Sequence, residues 1–222
     1  TLREALRSLE ILGLLEIRKG ISGGPFITEI DTKKARENFI NFFHFKNLSL
    51  ENLFEVRLML EPNITAKAAV AITEEDLQRL EKLIRDCDQI LNQNVSDVPV
   101  ELRRNEIQFH RIIANVAGNP ILTFLLDVVE NLPINGFEIL QPPTKKFSQE
   151  VQKAHNKIYK ALLERNARKA RSEMVRHIRE VEKSLIALRK ERSFKDLSQK
   201  TNEVEKNAAP NHNFKEKGVL IG

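Results

Sequence analysis

Residues 106–120 read EIQFHRIIANVAGNP. His110 shares a helical face with Ile113 and Ala117, and Glu106 stands four residues earlier on that same face. A carboxylate and an imidazole one turn apart on an apolar row are an unusual pair for a core helix. Gly118, Asn119 and Pro120 then break the helix, and ILTFLLDVVENL resumes it as far as Pro133. Helix, tight break, helix is the unit from which an antiparallel bundle is built.

The same period extends in both directions, from Asp31 to about Arg189. DTKKARENFINFFHF (residues 31–45) starts at a cap, Asp31 or Thr32, and presents Phe39, Ile40, Phe42 and Phe43. Residues 49–71 follow, with Pro62 expected to kink or divide them. Thr73 caps residues 74–91, with acids in the first turn and Leu77, Leu80, Ile84 and Cys87 on one face. Further helices are expected at about 98–117, from 121 to Pro133, at 147–164 and at 167–189, while NGFEILQPP (135–143) reads as a loop or broken continuation. Six or seven helices without a long β pattern predict an all-α antiparallel bundle over residues 31–190. Residues 191–222 lose the apolar period and are expected to form a polar, flexible or loosely docked tail. No internal repeat is visible.

Residues 1–30 differ. Leu2, Ala5, Leu6, Leu9 and Leu12 keep helical spacing up to Gly13; LLEIR alternates, KGISGG is turn chemistry and PFITEI is β-rich. Helix, strand, tight loop, strand is the order of the back half of a winged helix-turn-helix, whose helix enters the major groove and whose hairpin meets the phosphates. Arg3 and Arg7 project together from the helix, and Lys19, Gly23 and Gly24 would let the hairpin approach DNA closely. An amphipathic helix and hairpin packed on another domain fits the same pattern, and Arg3 and Arg7 can instead pair with Glu4 or Glu10. The chain opens inside this helix without a Met, and its two Met residues are Met59 and Met174, so residues before Thr1 are expected to be missing.

Composition narrows the class without naming the function. The chain has 222 residues, 41% hydrophobic and 30% charged, enough for one substantial core and a small appendage. Its net charge of +5 suits a polyanionic partner, but charge in residues 1–30 balances and the excess is spread thinly. A single Cys, Cys87, cannot form an intrachain disulfide, so a reducing, cytoplasmic setting is the default. No apolar run approaches membrane-spanning length.

Three of the five His fall on inward faces: His110, His155 in the row Val151, His155, Ile158, Leu162, and His177 after Ala170 and Met174. A hydrogen-bonded core histidine is the plainer account of any one of them. Three from three helices, with Glu106 already in register with one, point to a shared divalent cation. Three imidazoles and a carboxylate suit Zn, Ni, Mn or Fe(II), with open positions for water or a small acid. His44 and His212 lack such company and read as surface or loop residues. There is no HExxH, no GxSxG and no phosphate-cradling Gly loop, and no general acid or base is nominated.

TLREALRSLEILGLLEIRKGISGGPFI (residues 1–27) resembles the recognition helix and wing of the GntR family of bacterial transcription regulators. EVRLMLEP (55–62) followed by AKAA (66–69), then EIQFHRIIANVAGNP, and HNKIYKALLERNARKARSEMVRH (155–177) are similar to the FCD ligand domain of its FadR-type subgroup. The likeness spans about residues 1–188. It implies a homodimer that binds a palindromic double-stranded DNA operator and holds a metal through Glu106, His110, His155 and His177 beside a small carboxylate effector. The family usually has Asp where this chain has Glu106, so one ligand is a methylene longer. Arg57 matches an Arg of the ligand domain that could face the effector, or it forms an intrahelical ion pair with Glu61.

The leading expectation is a metabolite-responsive transcription regulator rather than an enzyme. The rivals are a metal-dependent hydrolase or lyase in a helical bundle, and a structural helical adaptor whose inward His residues are hydrogen-bonded core.

Overall fold

The computed structural model describes residues 1–20, 23–27, 32–44, 46, 48–93, 100–132 and 144–207, with side chains except at 32–34, 44 and 192–207. The order is α1 (Leu2–Ile11), β1 (Leu15–Arg18), β2 (Gly24–Ile27), α2 (Thr32–His44), α3 (Leu50–Ala71), α4 (Glu74–Asn92), α5 (Val100–Val116), α6 (Pro120–Glu130), α7 (Lys145–Leu163) and α8 (Ala167–Asn207). Two compact units divide it, Thr1–Ser184 and Leu185–Gly222. The candidate site lies wholly in the first.

Local chemistry sets the helix ends. Thr73 accepts from the Asp76 N–H while the Asp76 carboxylate accepts from the Thr73 N–H, and Ser49 and Asn52 form the same reciprocal cap on α3. Between α5 and α6, Gly118 takes φ +67°, where a side chain would be strained, and its N–H closes onto the Asn115 carbonyl at 3.0 Å. Asn119 then accepts from the N–H groups of Ile121 and Leu122 at 3.1 and 3.4 Å, with Pro120 in the first turn. Asn119→Ala is expected to cost about 1 kcal/mol in urea unfolding, and Asn119→Ser much less, since Ser can still cap.

The division expected as one outcome at Pro62 is absent: α3 is one helix from Leu50 to Ala71. Proline removes one N–H and crowds the preceding turn. Here Phe54, Glu61, Ile64, Thr65, Ala68 and Ala69, all buried, hold the helix on both sides of the proline. Helix α8 likewise runs past the end of the apolar period to Asn207, over Lys-, Glu- and Gln-rich sequence of good helix propensity. NGFEILQPP and residues 208–222, with His212, lie outside the described residues, as does the His44 side chain.

Helix α5 is the centre of the bundle, packing on α3, α4 and α6, while α7 lies on α3 and α4. Phe54, Leu80, Leu102, Phe109, Ile113, Leu126, Ile158, Leu162 and Met174 are fully buried. Each such side chain contributes roughly 1.5–3 kcal/mol on burial. No described helix is long and apolar enough to cross a membrane.

At the N-terminus, β1 and β2 pair antiparallel in the register Leu15 to Ile27, Glu16 to Phe26, Ile17 to Pro25 and Arg18 to Gly24. Glu10 on α1 accepts from the Ile17 N–H at 3.1 Å and ties helix to hairpin. A Cβ on Gly23 would fall 2.3 Å from the Arg18 carbonyl oxygen, so the turn itself requires glycine there. No residue of α1 is buried.

Candidate metal centre

Three helices bring the imidazoles together because each His replaces an apolar residue in a buried row. His110 comes from α5, His155 from α7 beside Val151 and Ile158, and His177 from α8 between Met174 and Ile178. Phe109 stacks on the His155 ring with centroids 4.2 Å apart and planes 11° from parallel, fixing that ring's plane. The Nε2 atoms of His155 and His177 lie 3.2 and 3.4 Å from Nε2 of His110. Donor nitrogens about 2.0–2.1 Å from a tetrahedral ion stand about 3.3 Å apart, so the separations fit one cation shared by three rings. One ligand atom from each lies within 4.8 Å of the others, and all three residues are buried.

Glu106 is outside that group. It is buried on α5 one turn before His110, and its Oε2 accepts from Arg103 at 3.3 Å while Oε1 has no hydrogen-bond partner. Burial pushes its carboxyl above the ordinary range, with Arg103 and the buried Ser148 hydroxyl of α7 opposing. An unpartnered buried carboxylate oxygen is costly unless something charged occupies its neighbourhood. His177 Nδ1 is unpartnered in the same way.

Arg57 and Glu61 fall on the inward row of α3. The Arg57 Nε donates to Glu61 Oε1 at 2.5 Å, and both side chains are buried. Arg57 is therefore committed to Glu61, the ion-pair arrangement. Glu61 Oε2 in turn lies 2.7 Å from His110 Nδ1, within hydrogen-bonding distance, and neither atom has another hydrogen-bond partner. Burial disfavours charge on Glu61, but Arg57 and His110 outweigh it and hold the carboxyl well below its usual range. Glu130 on α6 is pushed up to about 8 by burial and by the charge on Glu61. Glu130 carries no mark in the sequence, while Arg103 carries one, its place three residues before Glu106 on the same helix. Glu61 carries a weak one, a charged residue on the buried row that also holds Phe54 and Thr65.

A notch of about 20 Å³ between α7 and α8 reaches His177 past Val151, Ala154 and Glu180. That is room for about one water, so a carboxylate effector would need the α7–α8 seam to widen there. A roomier open cleft of about 650 Å³ on α5 and α6, lined by Gln108, Arg111, Asn115, Thr123 and Asp127, contains none of the clustered residues. At the N-terminus, Arg3 and Arg7 are exposed on α1 and Lys19 is exposed beside the hairpin turn that holds Gly23; Gly24 begins β2.

The titrations predict how the metal-free protein responds to pH. Burial lowers all three imidazoles, His155 and His177 strongly, while Glu61 opposes the shift at His110. The unfolded chain protonates these rings below about pH 6.5 and the folded chain does not, so stability falls as pH drops through that value. Glu130 acts in the opposite sense. Its folded carboxyl keeps a proton that the unfolded group, with an ordinary pKa of 4.5, has lost, so stability declines as pH rises toward about 8. The urea midpoint is therefore expected to peak near about pH 6.5, and Glu130→Gln is expected to flatten the alkaline side. A midpoint that climbs steadily to pH 8 in the parent protein would contradict this assignment.

Comparison with known proteins settles the family. Residues 52–180 match the family model described as the FCD domain. The chain belongs to the GntR family of transcription regulators with an FCD domain. This FCD regulator is 32% identical to the "Uncharacterized HTH-type transcriptional regulator YcbG" of Bacillus subtilis, over 83% of the chain and 73% of that protein. It is 27% identical to "HTH-type transcriptional regulator LutR" of the same species, over 81% of each. Among solved structures it is similar to Streptococcus agalactiae GntR, with a TM-score of 0.64 and 29% identity over 82% of this chain and 80% of that one. These FCD relatives are regulators, so the hydrolase or lyase alternative has no support among them.

Proposed function

We propose that this chain is a metabolite-responsive DNA-binding regulator whose helical domain holds one divalent metal, Zn, Ni, Mn or Fe, and takes a small carboxylate effector upon it. The observation that carries the reading is that the Nε2 atoms of His155 and His177 both lie at metal-ligand separations from Nε2 of His110 inside a buried core, with one ligand atom of each ring within 4.8 Å of the others. His110, His155 and His177 would hold the ion. Glu106 is proposed as the fourth ligand, through the buried oxygen that has no partner, and turning it inward would release its bond to Arg103. When bound, the metal supplies positive charge and open positions that a carboxylate can fill. Arg57, matched to an effector-facing Arg by resemblance, is proposed to face the effector carboxylate with its Nη groups while its Nε stays on Glu61.

The α1 helix and hairpin are proposed as the DNA-facing module, with Arg3 and Arg7 in the groove and Lys19, Gly23 and Gly24 at the backbone. A homodimer would place two such modules on a palindromic operator, and an effector coupling of about 1–3 kcal/mol would change occupancy several-fold or more. DNase footprinting of the full-length protein, with metal content measured by mass spectrometry on the same preparation, tests the whole reading. An inverted repeat is expected to be protected and about one metal ion bound per chain. Arg7→Ala is expected to weaken operator binding by about 1–3 kcal/mol if Arg7 reads a base. Protein that binds no metal and protects no repeat sinks the reading.

A further inference from the structure

We propose that Glu61, anchored by Arg57, is a positioning residue that fixes the tautomer of His110 so that its Nε2 lone pair faces the metal centre. The inference rests on the metal reading above but concerns a residue outside its ligand set. A carboxylate oxygen 2.7 Å from an unprotonated ring nitrogen would set lone pair against lone pair. The Nδ1 of His110 must therefore carry the proton, which leaves Nε2, the atom nearest His155 and His177, as the free donor. The Arg57 guanidinium takes the other Glu61 oxygen and so prevents the carboxylate from turning away. The three residues form a line, Arg57 to Glu61 to His110, across the α3–α5 packing. A carboxylate behind a metal-bound imidazole orients the ring and makes it a better donor, and loss of such a partner costs about 10- to 100-fold in metal affinity.

The test uses the full chain. In the metal-free parent protein, nitrogen-15 NMR of the imidazoles is expected to find His110 protonated at Nδ1 and free at Nε2; the reverse tautomer overturns the proposal. Zinc affinity is then measured by competition with a chromophoric chelator. Arg57→Met with Glu61→Leu removes both buried charges together and is expected to lower zinc affinity by about 10- to 100-fold. Arg57→Met with Glu61→Gln, which keeps an acceptor opposite Nδ1, is expected to recover most of that loss. Equal affinity in the parent and the Leu variant, alongside a His155→Ala control that has lost zinc, overturns the proposal and leaves the metal reading standing. A parent protein that binds no zinc overturns the metal reading instead, and the tautomer signal still decides whether Glu61 sets His110.

Discussion

Zinc supplied to the metal-free protein at one hundred times its dissociation constant is expected to raise the melting temperature by roughly 5–11 °C. A ligand that binds only the folded state at that concentration adds about 2.7 kcal/mol, and a chain of this size moves by about 2–4 °C per kcal/mol. The rings need little proton release to accept the ion near neutral pH, because burial already holds His155 and His177 well below the ordinary imidazole range. His155→Ala is expected to abolish the rise, since it removes one of three imidazoles whose ligand atoms lie within 4.8 Å of one another. A chelator should return the parent protein to its metal-free melting temperature. An equal rise in parent and variant would place the zinc elsewhere and end the claim that these three residues hold it.

Arg57→Ala is expected to cost about 3–5 kcal/mol of unfolding free energy without any ligand present. The variant leaves Glu61, 1% exposed, as a buried charge without its cation, and such half-broken pairs are among the most destabilising changes a core can receive. Arg57→Met combined with Glu61→Leu is expected to cost less in the same urea titration, about 1–3 kcal/mol, because the ion-pair desolvation cost disappears along with the attraction and only the His110 Nδ1–H loses its acceptor. The contrast separates two jobs for Arg57. If it stood free to meet an effector, Arg57→Ala would leave metal-free stability within about 0.5 kcal/mol and lose only the effector response. The pairing with Glu61 argues for the large loss.

Much of the architecture was legible from local pattern. The caps at Thr73 and the break at Gly118 to Pro120 depend on residues three or four apart, so reading them needs no knowledge of the fold. The inward placement of His110, His155 and His177 was legible for the same reason, each standing in an apolar row of 3.6-residue period. Division at Pro62 did not occur, because the packing on both sides of it offsets its local cost. The length of α8 was missed because helix propensity can continue where amphipathicity stops.

The centre divides along the same line. Spacing alone determined that Glu106 and His110 share a face, and that Arg57 and Glu61 can pair within one helix, because a single helix sets those distances. Only the tertiary structure decided that Glu61 on α3 meets His110 on α5 with Glu130 of α6 in its field. Those contacts join residues far apart along the chain. They exist only once helices are docked at particular angles and depths, and side-chain periodicity records which face of a helix turns inward, not what it will meet there.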